Sequence, residues 1–214
     1  MCSAIKRLGL KDGAVCLNIG SSTRAFREEQ QPHISGEMIQ PLEKGGLRFV
    51  HCDMKMAEGV DIVADVMSDE GLRVLQAQSA NLLLASNLLE HLTDPKAFCA
   101  QLHRVLPIGG YAVVSVPYSF PLHRDPIDTM FRPSPEEIAA LFPGFRMVDS
   151  AIVEDGNFLE EIRAQPRPAL RLAKHLVQCL MPFYRRRKWQ ERVHALLWLW
   201  RPYAVSIAIL QVER

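Results

Sequence analysis

Residues 81–142 read NLLLASNLLEHLTDPKAFCAQLHRVLPIGGYAVVSVPYSFPLHRDPIDTMFRPSPEEIAALF, and this stretch decides the fold. Asn81 to Ser86 is a short apolar run suited to a buried parallel strand. Thr93-Asp94-Pro95 is a helix start: Asp94 can cap free N–H groups and Pro95 fits the first helical position. Phe98, Leu102, Val105 and Leu106 follow at helical spacing, and Pro107 with Gly109-Gly110 stops the helix. Tyr111 to Val116 is uncharged and valine-rich, the next strand. Strand, helix and parallel strand make one right-handed βαβ unit. In open sheets of this kind ligands bind outside the carboxyl ends of the strands. The residues just past those ends are polar: Glu90 and His91 after one strand; His123, Arg124, Asp125, Asp128 and Arg132 after the other. Ser134-Pro135-Glu136-Glu137 is a capping box that starts the helix through Phe142.

The segment from Leu82 to Ser119 resembles the fourth strand, following helix and fifth strand of class I S-adenosylmethionine-dependent methyltransferases, and is most similar to the methyltransferase type 11 group. The matching residues are Leu89-Glu90-His91 with Asp94-Pro95, then Arg104-Val105-Leu106 with Gly109-Gly110. His123, Asp125, Pro126, Asp128 and Arg132 resemble the loop pattern of a subgroup of that family. Weaker matches extend from about Ala14 to Val148. The resemblance implies a three-layer α/β, Rossmann-like fold: a seven-stranded, mostly parallel sheet with its last strand antiparallel.

The chain has 214 residues, 48% hydrophobic and 23% charged, which suits a single α/β domain with a sizeable core. Its five cysteines are scattered without a C-x-x-C pair and read as free thiols of a reducing cytosol. The seven histidines show no metal motif. The N-terminus lacks the apolar core of a signal peptide and no apolar run matches a membrane span. We therefore expect a cytoplasmic protein. The net charge of +1 hides an asymmetry: Arg163 to Arg201 holds ten Lys/Arg and one acid, Glu191, leaving the rest of the chain at net −8 against totals of 25 basic and 24 acidic residues.

In chain order, Ala14 to Ile19 is the first strand, followed by Gly20-Ser21-Ser22-Thr23-Arg24. Where the methyltransferases carry an acid and three alternate glycines, this chain has Asn18, Gly20, Ser22 and Arg24. The resemblance makes Asn18, Gly20, Ser21 and Ser22 candidates for the cofactor's methionyl and ribose parts. Thr23 to Gln31 reads as a short helix and 33–46 as irregular. Leu47 to Cys52 is the second strand, with Asp53 at its end placed to accept from ribose hydroxyls and Met54 beside it. Asp61 to Val66 reads as the third strand; Asp65 near its end is either an adenine-side acid or a helix cap, with Val66 beside it. Asn87, past the fourth strand, falls where the family lines the cofactor's sulfur end. Asp128 and Arg132 read as a loop-holding pair. His123, on a loop at the strand ends, is the first candidate for a proton-accepting base, with His91 second.

Phe145 to Val153 and Tyr203 to Val212 read as strands six and seven. Between them, 154–202 is expected as a basic helical insertion. Leu170, Ala173, Leu176, Val177, Leu180 and Met181 form an apolar helical face opposite Arg171, Lys174, His175 and Gln178. Tyr184 to Lys188 is a basic run, and Trp189 to Trp200 a second helix. The insertion reads either as a lid with solvated charge or as a surface for an anionic membrane or phosphorylated substrate; no nucleic-acid module is visible. Together these readings predict methyl transfer from S-adenosylmethionine, leaving S-adenosylhomocysteine, to an oxygen, less readily a nitrogen, of a small-molecule or lipid- or glycan-linked acceptor. The alternative is a methyltransferase-like scaffold without catalysis. A nicotinamide-dependent oxidoreductase is disfavoured because G-x-G-x-x-G is missing.

Overall fold

The computed structural model describes residues 1–124, 127–183 and 186–213. Seven strands form one sheet in the order β3-β2-β1-β4-β5-β7-β6. After a short helix α1 (Cys2–Arg7), β1 (Val15–Ile19) runs beside β2 (Arg48–Asp53), which carries the two-residue β3 (Ile62–Val63) on its outer edge. β4 (Leu82–Ser86) lies on the other side of β1, and β5 (Tyr111–Ser119) beside β4, all parallel. β7 (Tyr203–Val212) is antiparallel both to β5 and to the outermost β6 (Phe145–Asp155). The strand order reverses between β1 and β4, and the carboxyl ends of the strands at such a reversal are the usual ligand position of these sheets.

Alternation along the strands divides the core into two layers. Leu17, Ile19, Leu83, Ala85, Val114 and Val116 face α3 (Asp69–Gln76), α4 (Pro95–Leu102) and α5 (Pro135–Ala139), where Leu72, Leu75, Phe98, Leu102 and Ile138 are fully or nearly fully buried. Cys16, Phe49, Leu82, Leu84 and Val113 face α1 and the segment before β2, through Ile5, Met38, Ile39 and Leu42. The caps are those expected: the Asp94 carboxylate accepts from the Ala97 N–H at 2.9 Å, and Ser134 and Glu137 close a reciprocal capping box. Losing either cap costs about 1 kcal/mol.

Four expectations change. Residues 33–46 are not irregular but helical: wide i-to-i+5 turns at Phe26–Gln30 and Ile34–Ile39 lead into α2 (Gln40–Glu43), with the break at Gln31, before Pro32. The third strand shrinks to Ile62–Val63, because Asp65 turns the chain instead of extending it. β6 continues to Asp155, so the helical insertion begins at Gly156 and not at 154.

The fourth change concerns the insertion itself, made of α6 (Phe158–Arg163), α7 (Pro168–Cys179) and α8 (Arg186–Ala195). Periodicity placed an apolar face of α7 against the protein, yet no residue of α7 is buried, and Leu170, Val177 and Leu180 are 61%, 56% and 81% exposed. Its polar side, Arg171, Lys174, His175 and Gln178, faces a cavity of about 560 Å³ toward Arg192 of α8. Most of the expected basic run at Tyr184 to Lys188 lies outside the described residues and side chains, as does Asp125. The insertion is anchored by the buried Trp198, whose indole N–H donates to Ser119 Oγ at 3.0 Å, and by Leu122 N–H donating to His194 Nδ1 at 2.8 Å.

Candidate functional site

The turn after β1 has the backbone that a glycine-rich loop needs although two of three glycines are missing. Gly20 has φ +70°, a conformation that strains any side chain, and a Cβ there would lie 2.8 Å from Leu88 Cδ1, which would have to shift. Ser22 adopts φ +56° in spite of its side chain. Such a conformation costs about 1–2 kcal/mol for a non-glycine residue and persists only where neighbours hold it. Two contacts do so. The Ser22 N–H donates to Asp53 Oδ2 at 2.9 Å, and the Arg27 guanidinium, 4% exposed, donates to the carbonyls of Ser21 (2.8 Å), Ser22 (2.7 Å) and Gly59 (2.7 Å). Arg27 thus ties the turn after β1 to the loop after β2. No sequence signal singled it out, since it sits in a polar run. Arg24, at the third glycine position, reaches Glu58 at 3.7 Å.

Asp53 ends β2 half-buried, its Oδ1 accepting from the Lys55 N–H at 3.1 Å. Each carboxylate oxygen therefore keeps acceptor capacity beyond its backbone contact. Asn18 is buried on β1, its Nδ2 donating to Nδ1 of His51 on β2 at 3.1 Å. Burial, reinforced by Arg27, lowers the His51 pKa to about 4, so the pair is neutral. Asp65 Oδ1 accepts from the Met67 N–H at 2.8 Å, and its carbonyl accepts from Ser68: it shapes the turn before α3, while Val66 is buried and Met54 is 67% exposed. Asn87, at φ +48° and exposed, stands at the end of β4, its N–H donating to the Ser115 carbonyl.

The ends of β4 and β5 bring together residues far apart in sequence. The His91 and His123 rings meet edge to face at 5.3 Å, and both Nε2 atoms approach Glu90 Oε1, at 3.8 and 4.0 Å. The loop after β5 is stitched to this point: Thr129 donates through N–H and Oγ1 to the Glu90 carbonyl. Asp128 accepts from the His123 N–H at 2.9 Å, lies 3.2 Å from His123 Nδ1 and pairs with Arg132 at 2.7 Å, the expected loop-holding pair. Burial opposes the charge on Asp128, but Arg132 and two backbone N–H groups outweigh it and bring the carboxyl down to about 2. Burial raises the Glu90 carboxyl well above its ordinary value and lowers His123 despite Asp128.

Solved structures share this architecture. Coclaurine N-methyltransferase, bound to N-methylheliamine and S-adenosylhomocysteine, aligns with a TM-score of 0.55 and 13% identity over 98% of this chain and 70% of its own. The fold is that of the class I S-adenosylmethionine-dependent methyltransferases. The 1,6-didemethyltoxoflavin-N1-methyltransferase of Burkholderia thailandensis, with its substrate and S-adenosylhomocysteine bound, aligns at 0.50 with 16% identity over 100% of this chain and 77% of its own. No family model matches the chain, and no curated protein matches it significantly. Within this fold the left-handed Gly20–Ser22 turn and the Asp53 carboxylate stand at the ends of β1 and β2. The amide of Asn18 and the side chain of Arg24 are the departures.

Proposed function

We propose that the chain moves the methyl group of S-adenosylmethionine to an ionisable oxygen of a small, anionic acceptor. The observation that carries this reading is what stands at the strand ends: a left-handed turn held by the Asp53 carboxylate after β1 and β2, and an imidazole–carboxylate cluster after β4 and β5. S-adenosylmethionine supplies a methyl group already activated by its positive sulfur. The chain's task is then alignment and removal of the acceptor's proton. The Gly20–Ser22 backbone, Asn18, Asn87 and Asp53 would hold the adenosyl ligand, with Met54, Asp65 and Val66 along its edge. His123 Nε2, backed by Asp128, would take the proton, with His91 beside it.

The basic cavity supports an anionic acceptor. Arg167, Arg171, Lys174 and Arg192 line it against one carboxylate, Glu161. A smaller cavity of about 220 Å³ shares Phe158, Glu161, His175 and Arg192 with it and runs along Phe120, Pro121 and Leu122, immediately before His123. Phe120 in turn packs on the His123 ring at 5.2 Å. The outward apolar face of α7, flanked by Arg171 and Lys174, with Phe183 99% exposed just beyond it, suits peripheral contact with an anionic lipid surface. Among the described residues no helix is long and apolar enough to cross a membrane.

Incubation with methyl-labelled S-adenosylmethionine and a panel of phosphorylated and carboxylated hydroxyl compounds tests the reading. Transfer to an anionic member is expected, with His123→Ala slowing it about 10²-fold. A fully active His123→Ala protein rules out its role, and transfer to neutral compounds alone rules out the anionic acceptor.

A further inference from the structure

The polar cluster at the ends of β4 and β5 is chemically incomplete. The Glu90 side chain is fully buried, and both its oxygens lack a hydrogen-bond donor. An unpaired buried carboxylate is costly, and such groups are normally paired or coordinate a metal. The two histidines facing it offer no obvious relief. His91 Nδ1 lies 2.5 Å from the Ile127 carbonyl, which can only accept, so Nδ1 carries the proton and Nε2 presents a bare lone pair. His123 Nδ1 lies 3.4 Å from the Pro121 carbonyl, its hydrogen-bond partner, and 3.2 Å from the Asp128 carboxylate; both can only accept, so its proton too sits on Nδ1. Two imidazole lone pairs and a buried carboxyl group thus converge, with ligand atoms all within 4.8 Å of one another. What completes such a set is a cation.

We propose that Glu90, His91 and His123 form a binding site for one divalent transition-metal ion of the zinc type. Two imidazoles and one carboxylate suit zinc and its neighbours better than magnesium or calcium, which favour all-oxygen sites. The partners behind the ligands match as well: a backbone carbonyl on His91 and a carboxylate on His123 fix the tautomer that leaves Nε2 free to bind metal. Donors around tetrahedral zinc stand about 3.4 Å apart, given metal–nitrogen distances near 2.0–2.1 Å. The observed 3.8 and 4.0 Å from Glu90 to the two imidazoles, within a set spanning up to 4.8 Å, are wider than that, so the side chains must draw in around the ion. The His91 and His123 side chains are 19% and 33% exposed, so the site opens toward solvent and leaves room for a further ligand beside the three protein ones. An acceptor hydroxyl bound there would lose its proton to water through the pull of the cation, and His123 would then serve as ligand rather than base.

Metal binding does not depend on the methyl-transfer reading, and the test keeps them apart. The full chain, stripped with a chelator, is titrated with Zn²⁺ by calorimetry, and with Co²⁺ by visible absorption. One equivalent of Zn²⁺ and a Co²⁺ spectrum of nitrogen–oxygen ligation are expected. His91→Ala and His123→Ala should each weaken Zn²⁺ binding at least 100-fold, Glu90→Gln should weaken it while keeping the side chain's shape, and Asp128→Asn should weaken it about 10- to 100-fold. No stoichiometric Zn²⁺ uptake by the unmodified chain, or a Co²⁺ spectrum without nitrogen ligation, overturns the proposal whatever the variants do. S-adenosylhomocysteine titrated into the same samples reports separately on the methyl-donor side.

Discussion

Arg27→Met removes the guanidinium that joins the turn after β1 to the loop after β2, while keeping an unbranched side chain in its place. Three charge-assisted hydrogen bonds go, to the carbonyls of Ser21, Ser22 and Gly59, all at 2.7–2.8 Å. Bonds to a charged donor contribute about 1.5–3 kcal/mol each, but the variant also escapes the cost of burying a cation, and two of the three carbonyls are only partly buried. A net loss of about 3 kcal/mol follows, which for a domain of this size lowers the melting temperature by about 6–12 °C. The left-handed Ser22 loses one of its two restraints, so the loop relaxes and S-adenosylhomocysteine binding weakens at least tenfold, about 1.4 kcal/mol. Thermal denaturation and calorimetric titration measure the two effects. A variant with unchanged melting temperature and unchanged affinity would refute the idea that Arg27 substitutes for the missing glycines by holding the loop.

Asp53→Ala should weaken S-adenosylhomocysteine at least tenfold by calorimetry, and equal affinity would remove it from the ribose site. His51 is protonated near pH 6.5 when unfolded and only at about 4 when folded. Between those values the unfolded chain binds more protons, so its contribution to stability is complete above about pH 6.5 and is lost as pH falls toward 4. The partly exposed ring makes this about 1–2 kcal/mol, and His51→Gln should flatten the pH dependence of urea midpoints over that range; an unaltered profile would show that His51 is not its source. Liposomes containing acidic lipid should co-sediment the protein in a salt-sensitive manner, and no binding at low salt would return α7 to a solvated lid.

The sequence made the frame readable where one local rule dominates. The Asp94-Pro95 cap, the glycine stop after α4, the Ser134–Glu137 capping box and the valine-rich β5 each follow from neighbours a few residues apart. The mostly parallel sheet with an antiparallel last strand came from resemblance, since pairing between strands far apart in sequence is not local. The periodicity of α7 showed an amphipathic helix, but not that its polar side would turn inward to a basic cavity. Residues 33–46 looked broken because Pro41 and Gly45-Gly46 punctuate them, yet wide turns carry Met38 and Ile39 into the core. The site was legible as a set of strand-end residues and not as a cluster. His91 and His123 follow different strands, and the stitching of Thr129 to Glu90 and of the Ile127 carbonyl to His91 brings their rings together. Arg27 left no trace at all, because a buried arginine that serves carbonyls looks like any surface arginine until the loops close on it.

The central claim is that a first motif with one glycine and no acid still forms an adenosyl-binding turn. Calorimetric titration of the intact chain with S-adenosylmethionine and with S-adenosylhomocysteine tests it most directly. One-to-one binding of either at micromolar concentration is predicted. Silence up to millimolar concentration of both would contradict the account and favour a methyltransferase-like fold kept for binding alone.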